Sequence, residues 1–191
     1  MNVISTKKQV GETHYDLYPE HKLLLKAGTI TLVSFLKPED REELVRDFEK
    51  LSAQSRYQRF LIPLTELSAK QLTYLTEIDN KDHLALSAYD VTQTPKVGIG
   101  VARYVRLIAE PHVAEIAITI LDEYHGKGLG TQLFKLLIQY ARENGISNFR
   151  AYVFGENIPM MTLLRHYNPR ISHEEGSLFR VDIALEGFRA F

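Results

Sequence analysis

Tyr124-His125-Gly126-Lys127-Gly128-Leu129-Gly130-Thr131 is the stretch whose reading decides the fold. In front of it runs Glu115-Ile116-Ala117-Ile118-Thr119-Ile120-Leu121, an apolar alternating run of the kind a strand makes. Behind it, Leu129, Leu133, Leu136, Leu137 and Tyr140 recur at helical spacing. The stretch is therefore a glycine-rich turn from a strand into a helix. Gly126, Gly128 and Gly130 remove the side chains that would hold a ligand off the backbone. The first amides of the helix have no intrahelical acceptors, and the helix dipole adds partial positive charge there. The result is a phosphate cradle built from main chain.

Several phosphate and catalytic motifs are excluded. A dinucleotide-binding Gly-x-Gly-x-x-Gly would need glycine at Thr131 or at Leu133. A P-loop would need Ser or Thr after Lys127, where Gly128 stands. There is no His-Glu-x-x-His, no metal-ligand pair of histidines and no Gly-x-Ser-x-Gly, so no metal is expected. The chain has no cysteine, hence no disulfide, thiol nucleophile or zinc-cysteine site. With 23 basic and 24 acidic residues it carries no global basic field for nucleic acid. No apolar run approaches the ~18 residues of a membrane span, and no signal region opens the chain, so a soluble cytoplasmic protein is expected.

At 191 residues the chain fits one domain. Residues 1–20 read as a polar N-terminal arm and residues 21–191 as the single domain. His21 to Leu36 holds two apolar runs around Ala27-Gly28, a strand pair with a turn. Pro38-Glu39-Asp40 opens a helix through about Leu51. Ser68 caps another, with Leu72, Leu75 and Ile78 inward. Strands follow at Leu84–Tyr89, at Val97–Leu107 and at the run carrying Glu115. Asn144-Gly145 stops the cradle helix. Phe149–Phe154 is a strand, Asn157 starts a short helix ending before Pro169, and Arg170–Glu186 is a final hairpin. The order β-α-α-α-β-β-β-α-β-α-β-β describes an α/β sandwich around a mixed sheet.

What remains of the central motif, x-x-Gly-x-Gly at a strand-to-helix turn, resembles the pyrophosphate loop of the GNAT acyltransferase superfamily. That loop reads Gln/Arg-x-x-Gly-x-Gly/Ala. His125 takes the Gln/Arg place, and Gly128 and Gly130 take the glycine places. The resemblance implies an α/β fold with a mixed, mostly antiparallel central sheet flanked by helices. It also implies a splayed strand pair that holds acyl-CoA. Carried over, Ile118, Thr119 and Ile120 would bind the pantetheine arm through main-chain bonds. The backbone of His125, Gly126, Lys127, Gly128, Leu129, Gly130 and Thr131 would hold the pyrophosphate of coenzyme A, and Asn157, a helix N-cap, would also touch the coenzyme.

A narrower resemblance covers about residues 25–185. Ser52-x-x-Ser55-Arg56-Tyr57-x-Arg59-Phe60, Ala114-Glu115-Ile116-Ala117 and Asn157-x-Pro159-Met160 look like segments of Pat-type protein lysine acetyltransferases. Acyl transfer to an amine needs a neutral nitrogen, and a lysine with pKa near ~10.4 is charged at pH 7, so a general base is required. In the strand, Glu115, Ala117 and Thr119 share the face opposite Ile116, Ile118 and Ile120. Glu115 matches the base of the Pat-type enzymes. A backbone amide near Ile118 to Ile120 is a candidate oxyanion donor.

Many superfamily members place a tyrosine acid seven residues after the helix-start asparagine; here that position is Leu164. Tyr167 is near in sequence but on another helical face. The thiolate can leave unprotonated, since thiols have pKa near ~8.5.

The expected function is acetyl-CoA-dependent N-acetylation of an amine, with a protein lysine as acceptor. The alternatives are acetylation of a small amine, for whose polycationic forms Glu174 and Glu175 could supply an acidic cleft, and a coenzyme A-binding regulatory module without turnover.

Overall fold

The structure, a computed structural model, describes residues 19–188. The predicted N-terminal arm lies outside the described residues up to residue 18. Strands β1 (His21–Leu24) and β2 (Ile30–Phe35) form the expected opening pair, with a tight turn at Lys26–Gly28 between them. Three helices follow: α1 (Arg41–Lys50), α2 (Ala53–Phe60) and α3 (Ala69–Thr76). Then come β3 (His83–Asp90), β4 (Val97–Arg106), β5 (Val113–Ile120), α4 (Leu129–Glu143), β6 (Asn148–Phe154), α5 (Ile158–Arg165), β7 (Arg170–His173) and β8 (Leu178–Ala184).

The helix starts follow from their caps. Asp40 accepts from the Lys37 amide at 2.8 Å in the turn before α1. Ser52 accepts from the Ser55 amide at 3.1 Å, and Ser68 from the Gln71 amide at 3.3 Å. Helix α4 stops where Gly145 takes φ +76, a left-handed conformation that glycine adopts without strain.

All eight strands form one sheet in the order β1-β2-β3-β4-β5-β6-β8-β7. Every neighbouring pair is antiparallel except β5 with β6. Leu84, Leu86, Ala88, Ala102, Tyr104 and Ala114 are buried in the middle of the sheet. Helix α4 packs its buried Leu129, Leu133, Phe134 and Leu137 on one face; α1 and α2 approach β4 and β5. No helix among the described residues is long and apolar enough to cross a membrane.

One pairing is incomplete. β5 and β6 are in register only at Val113↔Asn148, Ala114↔Phe149 and Glu115↔Arg150. β6 keeps β8 through Phe154↔Leu178, and β5 keeps β4 through Gly100↔Ile120. Beyond Glu115 the two parallel strands therefore separate, each held by its outer neighbour. The sheet opens into a wedge directly before the glycine-rich turn.

Candidate active site

The turn after β5 is fixed from three sides. Tyr124 is buried and donates its hydroxyl proton to Asp90 Oδ2 at 2.8 Å, while Gln93 Nε2 donates to the same hydroxyl at 2.8 Å. The Lys26 amide donates to the Lys127 carbonyl at 3.1 Å, tying the turn to the first hairpin. Protonated at Nε2, His125 donates to the Ile120 carbonyl at 2.9 Å. The histidine that replaces the superfamily's Gln/Arg thus braces the turn against the strand that feeds it.

Gly126 and Gly128 have φ of +72 and +92, with open space where a Cβ would project. Gly128 caps α4, and the first amides of that helix face outward for want of acceptors. A Cβ on Gly130 would stand 3.3 Å from Ile120 Cδ1, so glycine lets the helix start approach the strand end. These are the features a pyrophosphate cradle requires.

Which main-chain groups line the wedge follows from strand parity. Leu121 N donates to Ile99 O and Leu107 N donates to Val113 O, so odd-numbered residues of β5 bond to β4. The even-numbered ones face the wedge. Ile118 and the amide of Ile120 are left without a strand partner, whereas the main chain of Thr119 belongs to β4. Of the three residues expected to bind through backbone, two are open to a ligand. Thr119 instead lines a cleft with its side chain.

That cleft, enclosing about 510 Å³ including its open mouth, lies on the odd face of β5 under α1 to α3. Its walls are mainly apolar, with Leu44, Phe48, Phe60 and Leu67 among them, and Arg59 and Arg103 are its cations. The Ser52–Phe60 stretch singled out in the sequence is α2, and each marked side chain has a contact. Asp122, at the end of β5, accepts from Ser52 N (3.2 Å), Ser52 Oγ (3.0 Å) and Ser55 Oγ (2.8 Å). Tyr57 stacks on Phe154, at the end of β6, with centroids 4.9 Å apart and planes 12° apart. Helix α2 is thus pinned to both strands of the wedge. Arg56 donates to the Thr65 carbonyl at 3.1 Å and lies over the Phe48 ring; Phe60 also packs on Phe48. The Arg56 guanidinium is a structural group rather than a free charge on a solvated face.

Removing the Asp122 anchor by Asp122→Ala is expected to cost about 1 kcal/mol of stability, since the site is exposed. It should speed hydrogen exchange of the α2 amides and leave those of α4 unchanged. Unaltered α2 exchange would show that the stack on Phe154 holds the helix alone.

Glu115 projects at the exposed rim on this same face. No nitrogen of Arg59 or Arg150 comes within 4.0 Å of its carboxylate. Arg150, its register partner, is engaged by Glu110 at 2.6 Å and Asp182 at 2.8 Å. Partial withdrawal from water raises the Glu115 pKa above the ordinary carboxylate value, with Arg59 and Arg150 pulling it back down. A carboxylate left free of ion pairs and more basic than usual suits proton abstraction.

Two polar residues that the sequence reading missed sit beneath the cleft. Arg103, 4% exposed, donates through Nη1 to the Leu75 carbonyl (3.2 Å) and to His83 Nε2 (2.9 Å). The only signal for Arg103 was a charge inside the apolar run Val97–Leu107, and His83 had none. Burial, then the neighbouring Arg103, lowers His83 to about 4. An unfolded histidine takes its proton near pH ~6.5. Between 6.5 and 4 the unfolded chain binds a proton that the fold refuses, so this contribution is complete above 6.5 and is lost as pH falls toward 4. The loss should be about 2–3 kcal/mol for this group, read from urea unfolding between pH 4 and 7. His83→Gln keeps an acceptor for Arg103 and should flatten that slope.

The remaining candidates fall as follows. Asn157 caps α5, its Oδ1 accepting from Met160 N at 3.2 Å. Leu164 is fully buried. Tyr167 packs edge-on between Phe134 (4.6 Å) and Phe188 (5.0 Å), against the aromatic core. Glu174 lies 3.6 Å from Arg180, on the β7–β8 hairpin.

Comparison with known proteins agrees with this geometry. Residues 30–168 match the sequence family described as Acetyltransferase (GNAT) domain. An acetyltransferase of Pseudomonas aeruginosa is 35% identical over 121 residues, covering 63% of this chain and 64% of that protein. Acetyltransferase Pat of Mycolicibacterium smegmatis is 31% identical over 127 residues, covering 66% of this chain and 37% of that protein. The matched stretch thus spans less than two thirds of either relative. The GNAT domain of S. lividans PAT superposes with a TM-score of 0.78 at 28% identity, over 87% of this chain and 99% of that one. A Salmonella typhimurium protein solved with its cofactor acetyl-CoA shares the fold, with a TM-score of 0.64 at 15% identity over 84% of this chain and 96% of that one.

Proposed function

The chain belongs to the GNAT acetyltransferase family, and from that premise we propose that it moves the acetyl group of acetyl-CoA directly to an amine, with Glu115 as general base and a protein lysine as acceptor. The observation that carries this reading is the course of β5. One end of the strand feeds the cradle, its even-numbered backbone lies open in the wedge, and Glu115 stands at the other end. Glu115 and Ile120 are about 17 Å apart along the strand, so one extended molecule can span both.

In this reading the amides from Gly126 to Thr131 hold the pyrophosphate of coenzyme A, and Ile118 and Ile120 pair with the pantetheine arm. Asn157, at the start of the helix beyond the wedge, adds a contact to the coenzyme. The bound thioester supplies an activated acetyl group. Glu115 takes a proton from the ammonium of the acceptor, directly or through water, because only the neutral amine attacks. The amide of Ile118 or Ile120 donates to the oxygen that gains charge. Attack leaves a second proton on the nitrogen, which passes to water as the tetrahedral intermediate collapses; with Leu164 where other members place a tyrosine, the C–S bond breaks and the thiolate departs as the anion.

The acceptor class is supported by the resemblance to Pat-type enzymes and the relative named Pat. Incubation with [14C]acetyl-CoA and either a lysine peptide library or a panel of free amines tests it. Label on lysine peptides supports the proposal; label confined to small amines contradicts the acceptor while keeping the reaction. Binding of acetyl-CoA with no transfer to any amine would instead support a regulatory module.

A further inference from the structure

The cleft on the Glu115 face contains two guanidiniums, and among the described residues no carboxylate is bound to either. Arg103 is buried, and its partners, the Leu75 carbonyl and the His83 ring, are both neutral and share one of its nitrogens. Arg59 enters the cleft from α2 and makes no ion pair within 4.0 Å among the described residues. Arg59 acts on its neighbour: Arg103 is pulled down to about 9, by burial first and by Arg59 second. Both guanidiniums are cationic at neutral pH, since arginine does not lose its proton in proteins. Asp47 lines the cleft with them, and Glu115 attracts Arg59 through space without touching it. Asp47 is bound by Lys50 at 2.9 Å, and Glu115 stays beyond contact distance. Withdrawing like charges from water among Leu44, Phe48 and Leu67 with no counter-ion in contact is unfavourable, and an apolar side chain would fill the same space at lower cost.

We propose that Arg59 and Arg103 form a receptor for a carboxylate carried by the acceptor, so that the preferred substrates are amines with a carboxylate close to the reacting nitrogen. This proposal rests on the acceptor-side reading given above and narrows it. A free amino acid, or a lysine with its own or a neighbouring carboxylate, fits. A polyamine or aminoglycoside would bring positive charge onto two guanidiniums. The planar forks suit carboxylate geometry; Arg103 keeps nitrogens beyond the one it shares between Leu75 and His83, and Arg59, stacked over the Phe60 ring, keeps its N–H edge for a carboxylate. The neutral His83 acceptor holds Arg103 in place without cancelling its charge.

The test is a titration of the full chain, with coenzyme A present, followed by NMR of the arginine Nε–H signals. N-α-acetyl-lysine is the probe, and its C-terminal amide, which keeps the ammonium and lacks the carboxylate, is the control. The carboxylate should move the Arg59 and Arg103 signals and bind at least about tenfold tighter than the amide, the scale of one charge-assisted contact. Arg59→Gln, on a surface helix and away from the packed sheet, should erase the difference, and Arg59→Lys should restore part of it. Equal binding of acid and amide, or arginine signals that stay still, overturns the proposal. A third arm uses succinyl-CoA against acetyl-CoA. If only succinyl-CoA moves the arginine signals, the carboxylate belongs to the donor and the acceptor assignment is overturned. Coenzyme A binding is read separately from the backbone amides of Gly128 and Leu129. Their failure to respond defeats the donor reading, while the arginine signals still decide the carboxylate receptor.

Discussion

Glu115→Gln should lower kcat/KM by about 10²–10⁴-fold, the usual contribution of a positioned general base. Coenzyme binding should be unchanged, because the cradle and the open edge of β5 are main chain. The substitution is nearly isosteric and removes no hydrogen bond or ion pair, since the Glu115 carboxylate has none among the described residues. Stability should therefore shift by less than ~0.5 kcal/mol. The pH profile gives an independent reading. A base with raised pKa must lose its proton before it can act, so wild-type kcat/KM should climb with pH through that raised value. In the variant the acid limb contributed by Glu115 should vanish, leaving only the rise due to deprotonation of the amine itself. A variant with full activity, or one that loses coenzyme binding along with activity, would contradict the assignment.

The second large effect is expected at Gly128, where the backbone has φ +92. Asparagine and aspartate both tolerate the left-handed region better than other side chains, so they can be compared at matched strain. A Cβ there meets open space, and neither substitution disturbs packing. Gly128→Asn should retain most coenzyme affinity. Gly128→Asp sets a negative charge at the helix start where the pyrophosphate is to sit, against the dipole's preference for a ligand anion. At an effective dielectric constant of about 20, one such repulsion at 4 Å approaches 4 kcal/mol, so a loss on the order of a hundredfold relative to asparagine is expected after screening. Isothermal titration with coenzyme A measures both. Equal affinities would mean that the phosphate groups bind elsewhere.

How far the chain could be read in advance depended on how local each feature is. The turn from Tyr124 to Thr131 is a strand-to-helix glycine turn by its own residues, and the structure has it so. The orientation of Glu115 followed from alternation within one strand. Strand order, and the gap between β5 and β6, entered only through the resemblance to a family, because nothing in either strand's composition states where pairing stops. Thr119 illustrates the limit. Whether its main chain faces β4 or the wedge depends on the register with Val101, which is set between strands. Helix α2 illustrates another. Its serines and Tyr57 could be marked as part of a motif, but their partners Asp122 and Phe154 lie 67 and more residues away. Arg103 and His83 carried no motif at all, and only the sheet brings them together, at the pair Ala85↔Arg103 beside His83↔Val105.

A thermal unfolding scan with acetyl-CoA, coenzyme A, ATP and NAD in parallel tests the acetyl-CoA site most directly. Ligand at 100 times its dissociation constant adds about 2.7 kcal/mol to the folded state. For a chain of this size the midpoint should rise by roughly 5–11 °C with either form of coenzyme A. ATP and NAD should leave it within a degree or so of the free protein on the same scale. No rise with either coenzyme A form, at concentrations well above micromolar, would contradict the cradle and the open edge of β5 as a coenzyme A site.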